Sequence, residues 1–402
     1  MKYIGIITLA LLGLAACQSP VVTVTLKNTL SEDVKEMPVV IERALIEQKL
    51  GALDEGVFPL LADHGVVVPQ QLDDLDQDGN WDQIALLVST KASTDLVLDL
   101  VTTQEYPNFA TRTSVYLGVD YNRSDAFVEK DQEERHPDNI AMKYPMMYQM
   151  EGPAWENDKV GFRLYFDSRN GKDIYGKTTE DMTLHVAGTK GQNYHEQDAW
   201  GMDVLKVGNS LGAGAVAMMY EDSLVRLANT ASGEYQVLIE GPVRTIFDVR
   251  HQGWDTPVGS LAVTERITIW AGQYGYQEEI LCDQKDITWV TGIVNKHSDE
   301  MIKGESETNN YIYTFDQQSE NKDNLGMAVI VPKTSFVSAA ETANEGEGVT
   351  ETYYVSFQSV DTPKYFFVAG WEPTTTEFQT AEGFAEVVAQ QAMVYNHSVV
   401  AE

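Results

Sequence analysis

From Ala85 onward the chain is a succession of short apolar, β-branched and aromatic runs interrupted by Gly, Asn, Asp and Pro, and no other feature limits the fold as strongly. The runs fall at residues 112–119, 160–166, 215–220, 235–239, 243–249, 261–270, 311–315, 327–331, 353–357 and 365–368. Helical spacing reappears only at residues 382–391. Strands without alternating helices do not build a parallel α/β sheet, so the expected class is mainly β, with antiparallel sheets packed face to face. Nucleotide-type α/β folds are thereby set aside. Ahead of these runs, residues 21–26 alternate as a strand, and residues 39–50 read as a short helix with Glu42, Glu47 and Lys49 on its wet side. The charged, Pro-containing segment 121–149 reads as a surface connection. A soft boundary near residue 105 separates a smaller β-rich N-terminal region, 18–105, from a larger domain, 106–402.

The amino terminus predicts a compartment. Lys2 supplies a positive start, residues 4–14 form a short apolar core, and Leu14-Ala15-Ala16-Cys17 reads as a lipoprotein signal peptide with its lipobox over residues 1–17, cleaved before an acylated Cys17. An ordinary secretory signal with an accidental cysteine is the alternative. The apolar run is too short to span a bilayer, and no later stretch reaches the required length. Gln18 is not a retention acid of the inner-membrane kind, so the expected place is the outer membrane, periplasmic or cell-surface face, held through a lipid anchor only. With Cys17 acylated, Cys282 has no disulfide partner, and its apolar neighbours Ile280, Leu281 and Trp289 read as packing around a buried thiol. Across 402 residues, 28 Lys and Arg face 61 Asp and Glu, a net charge of −33. Such a surface repels polyanions, which excludes nucleic acid as a partner.

Residues 74–82, DLDQDGNWD, carry the most regular chemical spacing. Alternate carboxylates on a turning backbone, a glycine at Gly79 and the carbonyl of Asn80 suggest a calcium loop with Asp74, Asp76, Asp78, Asn80 and Asp82 as ligands. It is a nine-residue version, because Ala85 stands where an EF-hand places its bidentate Glu. The alternative is a solvated hairpin turn. A structural Ca2+ ion is the one cofactor expected, and no organic cofactor is.

Residues 155–177 hold five bases (Lys159, Arg163, Arg169, Lys172, Lys177) against four acids, a local charge of +1 in a strongly acidic chain. Strand alternation puts Gly161, Arg163 and Tyr165 on one face and Phe162, Leu164 and Phe166 on the other, so one face packs while the other offers a guanidinium and a phenol. Trp155 is either a sugar-stacking ring or a core residue. A third cluster, residues 192–214, is dense in polar and aromatic groups and ends in closely spaced glycines, as a loop crossing a site would be. Its His195 suits proton transfer near neutrality, with Glu196 or Asp198 to orient it. Residues 241–254 form an alternating strand with Arg244 and Arg250 in phase and His251 and Trp254 just past its end, a possible carboxylate clamp and second proton carrier.

The segments GPAWENDKVGFR, DIYGK, YHEQDAWGMDVLKVGNSLGAG and GPVRTIFDV resemble a bacterial family of secreted lipoproteins found beside polysaccharide-degrading enzymes and related to ulvan oligosaccharide dehydratases. The resemblance runs from the DLDQDGNWDQ segment to near the C-terminus. It implies a galactose-mutarotase-like antiparallel β-supersandwich and a carbohydrate-active enzyme acting on acidic, uronate-containing oligosaccharides by β-elimination at C4, as a dehydratase or lyase. Such a reaction requires a cation on the carboxylate, a base at C5 and a proton source at the leaving oxygen. On that expectation Arg163 or Arg244 holds the carboxylate, His195 is base or acid, and Tyr194, Tyr165 or His251 is the complementary carrier. Trp155, Trp200 and Trp254 would stack sugar; Glu156, Asp158, Lys159, Arg169 and Asp203 would bind it. Two other classes fit the same residues: a glycoside hydrolase with paired carboxylates such as Glu156 and Asp203, and a non-catalytic glycan-binding lipoprotein. Sequence does not fix an oligomeric state.

Overall fold

The computed structural model describes residues 22–135, 144–359, 361–397 and 400–402. The signal peptide and Cys17 lie outside the described residues. None of the described helices is long and apolar enough to cross a membrane.

Antiparallel sheets dominate, as the strand spacing predicts. The largest has nine strands, in the order Gln132–Arg135, Ser232–Ile239, Arg244–Thr256, Gly259–Trp270, Gly275–Leu281, Lys364–Trp371, Leu325–Pro332, Asn309–Asp316 and Ile302–Glu305. Two five-stranded sheets contribute to the same core. One runs Gly201–Asp203, Lys172–Lys177, Val160–Leu164, Ala154–Asn157, Thr113–Tyr116; the other runs Ser223–Arg226, Ala217–Tyr220, Thr288–Val294, Thr352–Phe357, Phe336–Glu341. Side chains at alternate positions meet between the layers: Trp155 and Phe162 from one small sheet lie against Phe247, Tyr276 and Phe367 from the large one, with ring centroids 4.8–5.9 Å apart. Burying rings of this size supplies much of the apolar driving force.

The strands Leu325–Pro332 and Lys364–Trp371 are apolar on both faces because the large sheet is covered on both sides. Ala328, Ile330, Phe366 and Val368 point away from the sandwich and receive the helix Ala381–Val394 through Phe384, Val388 and Ala392. The helix starts at Thr380, whose hydroxyl accepts the Gly383 N–H. Its residues match the helical spacing read at 382–391 and extend it at both ends. The earlier helix is Arg43–Leu50, while residues 39–42 continue the strand Val34–Glu42.

A second, separate core belongs to the N-terminal region. It is enclosed by a three-stranded sheet (Val34–Glu42, Gln83–Thr90, Gln70–Asp73) and a five-stranded sheet in the order Val400–Ala401, Thr23–Lys27, Leu96–Thr103, Phe58–Asp63, Val66–Val67. Contacts to the larger sandwich are specific. Gln71 bonds the backbone of Val243 and Arg244, Ala85 and Leu87 pack on Val243 and Ala271, and Arg112 pairs with Glu36 at 2.7 Å.

Candidate active site

The first small sheet builds the site by register. Arg163 lies opposite Asp173 on the neighbouring strand, and Tyr175 lies opposite Asp203 on the next. Because side chains alternate, Arg163, Tyr165, Asp173, Tyr175 and Asp203 share the outer face of the sheet, while Phe162, Leu164 and Ile174 point into the core. The 184–200 loop then folds back over that face. Gln149 holds it through the carbonyls of His185 and Ala187 at 3.1 and 2.8 Å, and Gly188 leaves room for the Tyr194 ring, which a Cβ there would approach to 2.8 Å. Gly201 closes the return. Its φ is +130°, and a Cβ would lie 1.8 Å from the Gly176 carbonyl, so only glycine fits. The Asp203 N–H donates to the Tyr194 carbonyl at 2.8 Å, which brings His195 beside the Asp203 carboxylate.

Arg163 is the centre of the arrangement. One terminal nitrogen donates to Asp173 Oδ2 at 2.7 Å, to Asp203 Oδ2 at 2.6 Å and to the Tyr165 hydroxyl at 3.0 Å; the other reaches the Tyr194 hydroxyl at 3.1 Å and the Met150 carbonyl at 3.2 Å. Tyr165 donates to Asp173 Oδ2 at 2.5 Å, and His195 Nδ1 is 3.2 Å from Asp203 Oδ2. Two buried carboxylates around one guanidinium leave a surplus negative charge, which the titrations reflect. Burial, followed by the neighbouring Asp203, pushes Asp173 up to about 6 against the pull of Arg163. The hydrogen bond to Asp203 raises the His195 imidazole above its ordinary value in spite of partial burial. Burial, then the Asp173 charge, raises Tyr165.

These groups line an open hollow of about 280 Å³. Arg163 and Asp203 are each only 2 % exposed at its floor, whereas His195 is 57 % exposed. Asp203 Oδ1 is buried and has no partner among the described residues. Arg169 stands at the wall, 4.0 Å over the Tyr165 ring and paired with Asp167 and Glu151. Asp173, Lys206, Arg226 and Glu320 also line the hollow and are absent from the sequence-based set. Asp173 had a signal, an acid facing Arg163 across a strand pair, but register is needed to see it. Lys206, Arg226 and Glu320 come from three different segments, with no shared spacing to announce them.

Several expected residues lie elsewhere. Trp155 is fully buried in the sandwich against Phe162 and Phe247, so it packs instead of stacking sugar. Trp254 is likewise a core residue, stacked on Trp289, and Trp200 packs on Tyr175. Glu156 pairs with Lys177 at 2.5 Å and accepts the N–H groups of Thr183 and Leu184, anchoring the loop. Asp158 is taken by Arg112 and the Gly272 N–H, and Lys159 by Glu180. Arg244 is buried at the joint between the two cores, with Nε 2.8 Å from Asp73. His251 does not follow its strand, which continues to Thr256, but points inward to Glu265 at 2.8 Å. Arg163, Tyr165, Arg169, His195 and Asp203 are the members brought together, with Tyr194 bonded to Arg163 behind them.

In the DLDQDGNWD loop, Asp74, Asp76 and Asp78 offer oxygens within 4.8 Å of one another, a group that can coordinate a metal ion. Asp82 is not part of that group. Asp82 Oδ2 accepts the Leu75 N–H at 2.7 Å and the Asn80 amide donates to Asp78, so both serve the turn itself.

A family model described as a domain of unknown function (DUF4861) matches residues 26–400. "Uncharacterized protein P7" of Formosa agariphila is 23% identical over 255 residues, covering 56% of this chain and 63% of that protein, so the chain matches less than two thirds of this curated relative's length. Among solved structures, an alpha-mannosidase from Enterococcus faecalis superposes with a TM-score of 0.50 at 11% identity, over 94% of this chain and 45% of that one. A glycosyl hydrolase family 38 protein from Enterococcus faecalis gives 0.42 at 11% identity, over 94% and 47%. The fold is thus a mainly β, multi-sheet one like that of the alpha-mannosidase. The likeness is to a glycosidase-type structure, and it conflicts with the lyase, dehydratase and ulvan expectations and with calcium as the named ion; these are not sustained.

Proposed function

The chain belongs to the DUF4861 family, and on that premise we propose that it is a carbohydrate-active hydrolase that cleaves a glycosidic bond in the hollow above Arg163. The nine-stranded sheet over two five-stranded sheets is read as a β-supersandwich of the galactose-mutarotase type. One observation carries the proposal: the Asp173 and Asp203 carboxylates meet at one Arg163 nitrogen, each with its own proton carrier, Tyr165 on the first and His195 on the second. Groups whose surroundings push their titrations apart are how acid and base roles are assigned in a single site. The alpha-mannosidase-like fold supports the hydrolytic class over the expected elimination.

The roles follow from charge. His195, raised by Asp203 and open to the hollow, is the acid, protonating the glycosidic oxygen as the bond to the anomeric carbon breaks. Asp173, ionised above about 6, is the proton sink. Water in the hollow gives a proton to the Tyr165 oxygen while Tyr165 passes its own to Asp173, and the water oxygen bonds the anomeric carbon. Arg163 holds both carboxylates in place, and Asp203 positions His195. The carboxylate pair of the hydrolytic reading is therefore Asp173 and Asp203, since Glu156 is committed to Lys177.

Incubation of the purified protein with a panel of oligosaccharides tests the reading. New reducing ends without new ultraviolet absorbance are expected. An unsaturated product, or retention on glycans with no turnover of any of them, would overturn it.

A further inference from the structure

A second cleft, of about 330 Å³, opens between the helix Ala381–Val394, the turn at residues 271–274 and the strand Val34–Glu42. Its lining differs from that of the first hollow. Gln391 is only 9 % exposed, and its side-chain amide has no partner among the described residues. Gln273 is 5 % exposed; its amide nitrogen donates to the Glu36 carbonyl at 2.9 Å, while its Oε1 has no donor among the described residues. Two largely buried side chains thus present amide groups that solvent reaches in the cleft and that a ligand's hydrogen bonds can engage. Tyr274 adds a half-buried ring, fixed edge to face against Phe378 at 4.8 Å, and Gln390 adds an exposed amide at the rim. The lining charges are of both signs, Lys35 and Lys159 with Glu36, Glu377 and Glu386, and two of them are paired within the protein: Lys159 with Glu180, Glu36 with Arg112.

We infer that this cleft is a second binding site, for an uncharged sugar residue of a polysaccharide chain. An amide offers a donor and an acceptor together, as a sugar hydroxyl does, so Gln273 and Gln391 can each engage adjacent hydroxyls, and an aromatic ring beside them suits the apolar face of a pyranose. A lining with three acids against two bases gives an anion no net attraction, which favours a neutral ligand over an anionic one. The site would hold a polymer to the enzyme while the Arg163 hollow acts on a chain. The choice of sugar rests on the carbohydrate reading above, so the test separates the two.

Affinity electrophoresis in gels containing mannan, galactan, xylan or mixed-linkage β-glucan measures retention without turnover. The His195→Ala protein is expected to be retained on at least one of these. Adding Gln391→Leu or Gln390→Ala should weaken that retention about tenfold, the loss of one good contact, while in the otherwise unaltered protein each leaves cleavage of a short oligosaccharide unchanged. Retention without any hydrolytic activity would sink the hydrolase and leave the cleft standing. Equal retention of the parent and both variants, or none on any of the four polymers, overturns the site. Gln390 is exposed, so its variant decides the question if Gln391→Leu does not fold.

Discussion

At the residue scale the site depends on the order in which its groups titrate. Asp173 has to be ionised to accept a proton, so kcat/KM should rise with pH through about 6. His195 has to be protonated to donate one, so the rate should fall as pH passes its raised value, above the ordinary 6.5. A bell-shaped pH profile is expected, its acid limb set by Asp173 and its alkaline limb by His195. Asp203→Asn replaces the charged acceptor that raises His195 by a neutral one and should shift the alkaline limb to lower pH, whereas a purely structural Asp203 would change the amplitude and leave the limb in place. His195→Ala should lower kcat by about 10²–10⁴-fold with unfolding by denaturant little altered, since the ring is more than half exposed. Alternation alone was enough to put Arg163 and Tyr165 on one face. It could not supply Asp173, because that pairing is between strands, nor could it show that Trp155 lies opposite Phe162 and is therefore inside.

At the scale of elements, glycines set how closely segments approach. Gly201 has its only room because it lacks a Cβ, so Gly201→Ala should destabilise by about 1–3 kcal/mol and displace the loop that carries Tyr194 and His195. Denaturant titration alongside kcat would show both losses together; a stable, fully active variant would mean the hairpin tolerates a different path. Gly326 and Gly370 play the corresponding part under the C-terminal helix, where a Cβ would meet the Phe384 ring at 2.6 and 2.8 Å. The strands were legible as β-branched and aromatic runs, and the last helix as a period. The short strands Ala154–Asn157, Lys172–Lys177 and Gly201–Asp203 were not, because their charged side chains break the apolar pattern that marks a strand. Lys172–Lys177 and Gly201–Asp203 build the site together with Val160–Leu164, so chemistry and legibility were in conflict there.

At the scale of the whole molecule, the two cores are joined by buried polar contacts beside one small apolar cluster of Ala85, Leu87, Val243 and Ala271. Arg244 on Asp73 is the most buried of the ion pairs at this joint. Arg244→Ala should cost about 3–5 kcal/mol, because it leaves the Asp73 carboxylate buried and unmatched, yet the folded fraction should keep its kcat and KM, since none of the groups lining the Arg163 hollow touches Arg244. Active-site titration combined with thermal unfolding would distinguish that result from a loss of catalysis. The joint also accounts for the misplaced expectation about Arg244: an arginine in phase with Arg250 on a long strand looks like a clamp until the N-terminal region is seen to occupy its end.

The outermost strand of the five-stranded sheet in that region is Val400–Ala401, which pairs with Thr23–Lys27 at Leu26 and Lys27 and is reinforced by Thr25 and Glu402 exchanging backbone bonds at 3.0 Å. Thr23–Lys27 and Val400–Ala401 are separated in sequence by the whole of the larger sandwich, so this edge of the sheet is closed by a contact of very long range. Bringing two such distant segments together has a loop-closure cost that the rest of the fold, once formed, has already met, so this rim closes late.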